Sequence, residues 1–211
     1  MFRDRETAGK LLADEVLRLG LSDSVVFALP RGGVPVALPV AQALNAPLDL
    51  LMVRKLGVPG HEELAMGAVV DGDAPDVVWN PEVLRQLDLS DAERDRAVQA
   101  KLAEIDDRRR RYLGDRPPVP VAGRDAVVVD DGIATGATVR AALRALRRRG
   151  PSSITLAVPV APASALEVLR ADVDHVVCLA SPRPFFAVGA HYANFGQTTD
   201  DEVIRAMEAQ R

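Results

Sequence analysis

The stretch Val127-Val128-Val129-Asp130-Asp131-Gly132-Ile133-Ala134-Thr135-Gly136-Ala137-Thr138 decides how this chain is read. Three β-branched residues run into two adjacent carboxylates, then a small-residue loop bearing hydroxyls, then a helix-forming segment from Val139 to Arg149. A strand, loop and helix in that order turn backbone N–H groups and a positive helix end toward an anion, for which phosphate is the natural partner. The acids lie just upstream of that cradle, where carboxylate oxygens accept hydrogen bonds from the vicinal hydroxyls of a ribose. One loop therefore suits both ends of a ribose 5-phosphate. An ordinary turn also favours Asp, Gly and Thr, but it does not ask for adjacent acids after Val-Val-Val with Thr-Gly at this offset.

Working outward, apolar runs alternate with helix-period segments, the pattern of a parallel sheet covered on both faces. The spacing of Leu11, Leu12, Val16 and Leu19 predicts a helix from Glu6 to Leu19, stopped by Gly20. Val25 to Leu29 reads as the first core strand, followed by Pro30-Arg31-Gly32-Gly33 and a helix from about Val34 to Leu44. Leu48 to Val53 reads as a second buried strand ending at Arg54-Lys55. Met66 to Val70 and Asp76 to Trp79 read as a side hairpin with Asp71-Gly72 as its turn signal. Val127 to Asp130, Ile154 to Val158 and Val173 to Leu179 complete the strands, with helices at about Ala137 to Arg149 and Pro162 to Ala171 between them.

Residues 80 to 125 interrupt this alternation. Ser90 and Glu93 form a capping box, and the helix they start runs to about Tyr112. Its apolar stripe (Val98, Leu102, Ile105, Tyr112) is narrow, so most of the helix is expected to face water. Glu104–Arg108, Asp106–Arg110 and Asp107–Arg111 are spaced for pairing one turn apart. The run Arg108 to Arg111 reads as a solvated helix end complementing the dipole rather than a nucleic-acid patch. Arg116-Pro117-Pro118-Val119-Pro120 is an extended linker back into the core.

The 211 residues suit one α/β unit with embellishments, 48% hydrophobic and 27% charged. A net charge of −4 argues against a general nucleic-acid binder, whose phosphate contacts need a basic face. The single cysteine, Cys178, sits in an apolar run and reads as a buried thiol. No secretory leader and no apolar run of the ~20 residues needed to span a bilayer is found, so a cytoplasmic location is expected. No His, Asp and Glu cluster has the spacing of a transition-metal site, and His61 and Glu62 read as loop polarity. In open α/β sheets ligands bind beyond the carboxyl ends of the strands. Arg31-Gly32-Gly33 lies there, with glycines that let N–H groups approach an anion and an arginine that adds charge. Leu56 to Glu63, with two glycines and Pro59, reads as a lid. Residues 181–196 gather Phe185, Phe186, Tyr192 and Phe195. Two readings stand for these aromatics, a sandwich for a planar base and a satellite core anchoring the tail. Thr199 to Glu202 repeats the capping-box pattern before a last short helix, and the opening Met1 to Arg5 is compatible with packing into the aromatic segment.

The Val127 to Thr138 stretch resembles the phosphoribosyl-diphosphate (PRPP) motif of type I phosphoribosyltransferases: an apolar run, two acids, two variable positions, then a small residue, Thr, Gly and a hydroxyl. The resemblance covers the core from about Val25 to Val158. It implies an α/β fold with a parallel core sheet flanked by helices, a small hood and a helical insertion. The chain is then one phosphoribosyltransferase-like domain over residues 1–211, its insertion at about 80–125 and its hood at about 181–198 with the N-terminal segment. The implied activity is Mg²⁺-dependent transfer of ribose 5-phosphate from PRPP to a nitrogen nucleophile, a small-molecule acceptor such as a nucleobase, with release of pyrophosphate. It further implies that Asp130 and Asp131 hold the ribose hydroxyls, directly or through metal-bound water. Gly132, Ile133, Ala134, Thr135, Gly136, Ala137 and Thr138 then cradle the 5-phosphate. Arg31, Gly32 and Gly33 take the pyrophosphate, in a loop that in the family often has unusual peptide geometry. Arg54-Lys55 is similar to the adenine phosphoribosyltransferase segment in which these bases meet the departing pyrophosphate. Phe185, Phe186, Tyr192 and Phe195 would then lie in the hood that reads the base. Enzymes acting on 6-oxopurines commonly carry an acid where this chain has Ala134, so those bases are expected to be poor acceptors. A PRPP or nucleotide sensor without transfer, and a phosphoribosyl hydrolase or phosphorylase, remain open. Neither nucleic acid nor membrane is an expected partner, and a homodimer is compatible with the reading.

Overall fold

The computed structural model describes residues 1–58, 61–72, 75–87 and 89–210, and only the backbone of Glu62 and Glu63. The core sheet holds β1 (Ser24–Ala28), β2 (Leu48–Leu50), β6 (Asp125–Val129), β7 (Ser153–Val160) and β8 (His175–Ala180), in the order β2-β1-β6-β7-β8, with every pair parallel. Strand alternation splits its side chains between two cores. Val26, Ala28, Val127 and Val129 face one way, while Val25, Phe27, Ala126 and Val128 face the other. The first face is covered by α1 (Arg5–Leu17), α2 (Gly33–Leu44), α4 (Asp91–Leu113) and α7 (Asp200–Glu208). The second is covered by α5 (Ala137–Arg148) and α6 (Ala163–Leu169). This is the expected parallel sheet flanked by helices.

A second, antiparallel sheet departs from the expectation. Its strands are β3 (Val53–Val58), β4 (His61–Val70) and β5 (Asp76–Trp79), in that order. The second core strand therefore ends at Leu50, and Arg54-Lys55 lie inside β3 rather than at the end of a core strand. The cause is a change of partners. Leu51 N–H still donates to Ala28 O, but Met52 N–H turns to the Asp71 carboxylate, and the chain then pairs with β4. The lid expected over Leu56 to Glu63 is thus largely strand, the end of this β3–β4 hairpin; its Pro59 and Gly60 lie outside the described residues. The short α3 (Pro81–Leu84) follows β5.

Helix α4 begins at the Ser90–Glu93 capping box and buries Val98, Ile105 and Tyr112, as the spacing predicts. The arginine run does not behave as a solvated end throughout. Arg109 lies on the buried stripe and gives Nη2 to both oxygens of Asp49 (2.8 and 3.0 Å) and Nη1 to Asp71 Oδ2 (2.9 Å) and to Leu50 O (3.3 Å). Asp49 and Asp71 are 2% and 3% exposed. The clamp ties α4 to the core sheet edge and to the root of the β3–β4 hairpin. Burial raises the Asp71 carboxyl to about 6, with Arg109 acting against the rise. The spacing-based pairs are replaced too: Glu104 pairs with Lys101 and Arg54, Arg110 with Asp107, and Arg111 with Asp200.

Candidate active site

Two loops meet beyond the carboxyl ends of the neighbouring strands β1 and β6, whose register pairs Ala28 with Val129. The first is Leu29-Pro30-Arg31-Gly32, leading into α2 at Gly33, with a cis Pro30–Arg31 peptide. The second is Asp130-Asp131-Gly132 leading to α5. Glycine is what lets them touch. A Cβ on Gly32 would lie 2.2 Å from Asp131 Oδ2, and one on Gly33 would lie 2.7 Å from Val129 O. The same closeness holds one step on, where a Cβ on Gly132 would lie 2.5 Å from Val188 Cγ1.

The second loop divides its tasks. Ile133 is buried and gives its N–H to Val160 O (2.9 Å), so it anchors the loop to β7. Ala134, Thr135, Ala137 and Thr138 are exposed. Gly136 caps α5 with φ at +80°, a left-handed conformation that glycine takes without the Cβ clash. The first N–H groups of α5 have no acceptor within the helix, which leaves them directed at whatever lies beyond its start.

The two acids are not equivalent. Asp130 Oδ1 accepts only its neighbour's N–H (Asp131 N, 2.9 Å) among the described residues. Burial, and then the charge of Asp131, push the Asp130 carboxyl well above the ordinary range. Asp131 is also raised, first by burial, with Arg5 opposing. Arg5 gives Nε (2.8 Å) and Nη2 (2.7 Å) to Asp131 Oδ2, gives Nη1 to Gly196 O (2.6 Å), and lies 3.9 Å over the Phe195 ring. Tyr192 Oη donates to Asp131 O at 2.5 Å. Arg31 meets a carboxylate of its own. Asp200, at the start of α7, accepts from Arg31 (3.4 Å), from Tyr112 Oη (2.5 Å) and from Arg111 (2.8 Å). The Tyr112 hydrogen bond, more than the arginines, holds Asp200 below its usual range.

The structure gathers Arg31, Gly32, Gly33 and residues 130–138 but separates Arg54 from Lys55. Successive residues of a strand face opposite ways. Arg54 turns toward α4, 3.8 Å from Glu104, where burial and then Arg108 make its guanidinium easier to deprotonate than usual. Lys55 lines a cavity against α5 instead. The aromatic segment is mostly a satellite core. Tyr192 is buried with Ala8 and Val160, and Phe2, Phe185 and Val188 pack on that group. Phe2 bridges to Tyr192 through its N–H to His191 O (2.8 Å) and its carbonyl from Ala193 N (2.7 Å), so the N-terminal segment packs on the aromatic segment. Phe185 stacks on His191 at 5.2 Å, Phe195 lies under Arg5, and Phe186 is 84% exposed. The spacing of Arg109, three before Tyr112 and four after Ile105, marks it as a stripe residue. Nothing local marks Arg5 or Asp200, which reach the site from the chain's two ends.

Paired acids, an arginine and a small-residue turn thus meet at the carboxyl ends of parallel strands, where open α/β sheets take their ligands. The chain belongs to the phosphoribosyl transferase family, whose domain model matches residues 5–194. It is 47% identical over 208 residues to a Mycobacterium tuberculosis protein named "Putative phosphoribosyl transferase Rv0571c"; the match covers 99% of this chain and 46% of the relative. The chain thus spans about half the length of the curated relatives it matches. The crystal structure of TT1426 from Thermus thermophilus is 43% identical with a TM-score of 0.87, covering 100% of this chain and 99% of that one. A hypothetical protein from Neisseria gonorrhoeae, solved with bound ppGpp, shares the fold at 14% identity and a TM-score of 0.52, covering 100% and 99%. Among the described residues no helix is long and apolar enough to cross a membrane.

Proposed function

We propose that this protein binds PRPP and transfers its ribose 5-phosphate to a nitrogen nucleophile, a nucleobase-like small molecule, releasing pyrophosphate. The observation that carries the reading is the contact of two glycine-dependent loops at the ends of adjacent parallel strands, one bearing paired acids and the other an arginine. Asp130 and the outer oxygen of Asp131 accept from the ribose hydroxyls. The exposed turn from Ala134 to Thr138 receives the 5-phosphate at the start of α5. Gly32 and Gly33 let backbone approach the pyrophosphate, and Arg31 supplies charge. Arg54 and Lys55 are left out of this set because β3 turns Arg54 toward α4 and Lys55 toward the cavity beside α5. In the reaction the bond from ribose C1 to the pyrophosphate oxygen breaks and one to the acceptor nitrogen forms. The electron pair leaves with pyrophosphate, where developing negative charge is what donors stabilise, and the two acids face the cationic ribose.

The family implies Mg²⁺, and the donor set fits it. A hard cation of this kind keeps several waters and leans on one or two carboxylates together with substrate phosphates. Asp130 and Asp131 are the carboxylates that would hold it, and its contribution is to neutralise charge on the leaving pyrophosphate.

One observation favours a second reading, binding without transfer. Arg5 already holds Asp131 and Asp200 already holds Arg31, so both charged groups are engaged from within. Turnover separates the two. Pyrophosphate release with PRPP, Mg²⁺ and a panel of bases is expected to depend on an added base, with hypoxanthine and guanine negligible and adenine at most weak. Efficient inosine monophosphate formation would show that Ala134 does not discriminate as argued. Saturable PRPP binding with no base-dependent release would establish the sensor. Either way, Asp130→Asn with Asp131→Asn is expected to weaken PRPP binding more than tenfold, about 1.4 kcal/mol, and equal affinities would sink the site assignment.

A further inference from the structure

A cavity of about 460 Å³ separates the β3–β4–β5 sheet from the outer side of α5. It lies apart from the acid pair, since neither Asp130 nor Asp131 lines it, yet it shares Ala137 and Thr138 with the phosphate loop. Its volume is in the ~300–1,000 Å³ range of small-molecule sites. Among the described residues its lining carries the cationic side chains Lys55, Arg140 and Arg144 and the carboxylate of Glu82. Arg140 and Arg144 both give Nε to the single carboxylate of Asp172, at 3.0 Å each, so that partner offsets only one of their two charges. The opposite wall carries Trp79. Its cross-strand partner is Gly67, where a Cβ would come within 3.1 Å of the indole, so the bare glycine lets the ring lie against β4. Apolar Val53 and Val78 complete that wall.

We infer that this cavity is a second binding site, for a purine nucleotide: the indole and apolar wall take the planar base, and Lys55, Arg140 and Arg144 take the phosphates. Aromatic surface beside clustered cations is complementary to a molecule that is flat at one end and anionic at the other. An occupant would touch the first turn of α5 from the side, where Ala137 and Thr138 end the 5-phosphate loop.

Trp79 is the only tryptophan of the chain, so its emission reports on the cavity directly. Titration of the whole chain with ADP and GDP is expected to change Trp79 emission saturably, with adenosine and inorganic pyrophosphate each binding far more weakly. Arg144→Ala, outside the ribose phosphate site, is expected to lower nucleotide affinity at least tenfold and to leave PRPP binding unchanged. Asp130→Asn with Asp131→Asn is expected to leave the nucleotide titration unchanged while weakening PRPP. Calorimetry on Trp79→Phe, which keeps an aromatic face, is expected to retain most of the nucleotide affinity and so separates binding from loss of fold. No saturable signal with either nucleotide overturns the inference, as does equal affinity in Arg144→Ala. Loss of nucleotide binding in the double Asn variant also overturns it, because the nucleotide would then occupy the ribose phosphate site. Failure of PRPP to bind while the nucleotide still does would sink the proposed transferase reading and leave this one standing.

Discussion

Replacing Arg109 with Met should cost about 3–5 kcal/mol of stability, the cost of breaking a buried ion pair from one side. The guanidinium donates four hydrogen bonds, two to Asp49, one to Asp71 and one to Leu50 O. Its removal leaves two buried carboxylates without their shared guanidinium: Leu50 N and Val119 N still donate to Asp49 and Met52 N to Asp71, with Arg149 as the remaining positive charge acting on Asp71. Protonation sets a ceiling, because keeping a carboxyl neutral at pH 7 costs roughly 1.4 kcal/mol for each pH unit above its ordinary value. The pH dependence has a definite sign. The Asp71 carboxyl is raised from 3.8 to about 6, so in that window the folded chain binds more protons than the unfolded one, and stability falls as pH rises through it. Without Arg109 the upper end of the window moves higher, and the variant's deficit therefore grows between mildly acidic and neutral pH. Urea unfolding at several pH values measures this. A loss below about 1 kcal/mol at neutral pH with an unchanged m-value would refute the clamp argument. Adding Asp49→Asn and Asp71→Asn to the variant should recover more than half the loss, since neither buried carboxylate then has to do without Arg109.

Gly33→Ala should lower both stability, by about 1–3 kcal/mol, and PRPP affinity. Its Cβ would lie 2.7 Å from Val129 O and 3.1 Å from the Asp130 Cα, backbone atoms that cannot swing away; wild-type values in urea unfolding and PRPP titration would refute this. Arg5→Ala should destabilise by about 1.5–3 kcal/mol, the usual worth of hydrogen bonds to a charged group, because it frees Asp131, Gly196 and Phe195 together. Arg5→Lys, which keeps the charge but not the fork, should fall between, and thermal unfolding of both variants is the check. PRPP affinity in the presence of Mg²⁺ should weaken as pH falls, beginning above the ordinary carboxylate range. Asp130 is raised by burial and by Asp131, and a protonated acid accepts poorly from ribose hydroxyls. Affinity that stays flat from neutral into mildly acidic pH would count against the pair as ribose ligands.

Local pattern was enough for most of the core and for the loop at its centre. Val127 to Thr138 carries its own strand, acids, cradle and helix start within a dozen consecutive residues, so its reading needs no distant partner. The capping boxes at Ser90 and Thr199 and the stripe of Val98, Ile105 and Tyr112 are likewise contained in one helix, and the structure has them where the spacing puts them. The second sheet was not legible in the same way. Leu48 to Lys55 is one continuous apolar-to-basic run, and only the Asp71 carboxylate capturing Met52 N–H divides it into two strands of different sheets. That division turns Arg54 and Lys55 to opposite faces and forms the cavity beside Trp79. The inner charges follow the same rule. Arg5, Arg109 and Asp200 meet Asp131, Asp49 and Arg31 across separations of 126, 60 and 169 residues. Sequence alone determines which residues can form a strand, a cap or a phosphate turn, because those preferences act over a few neighbouring bonds. Which buried charge finds which partner is decided by the packed fold, where burial makes an unpaired carboxylate too costly to leave.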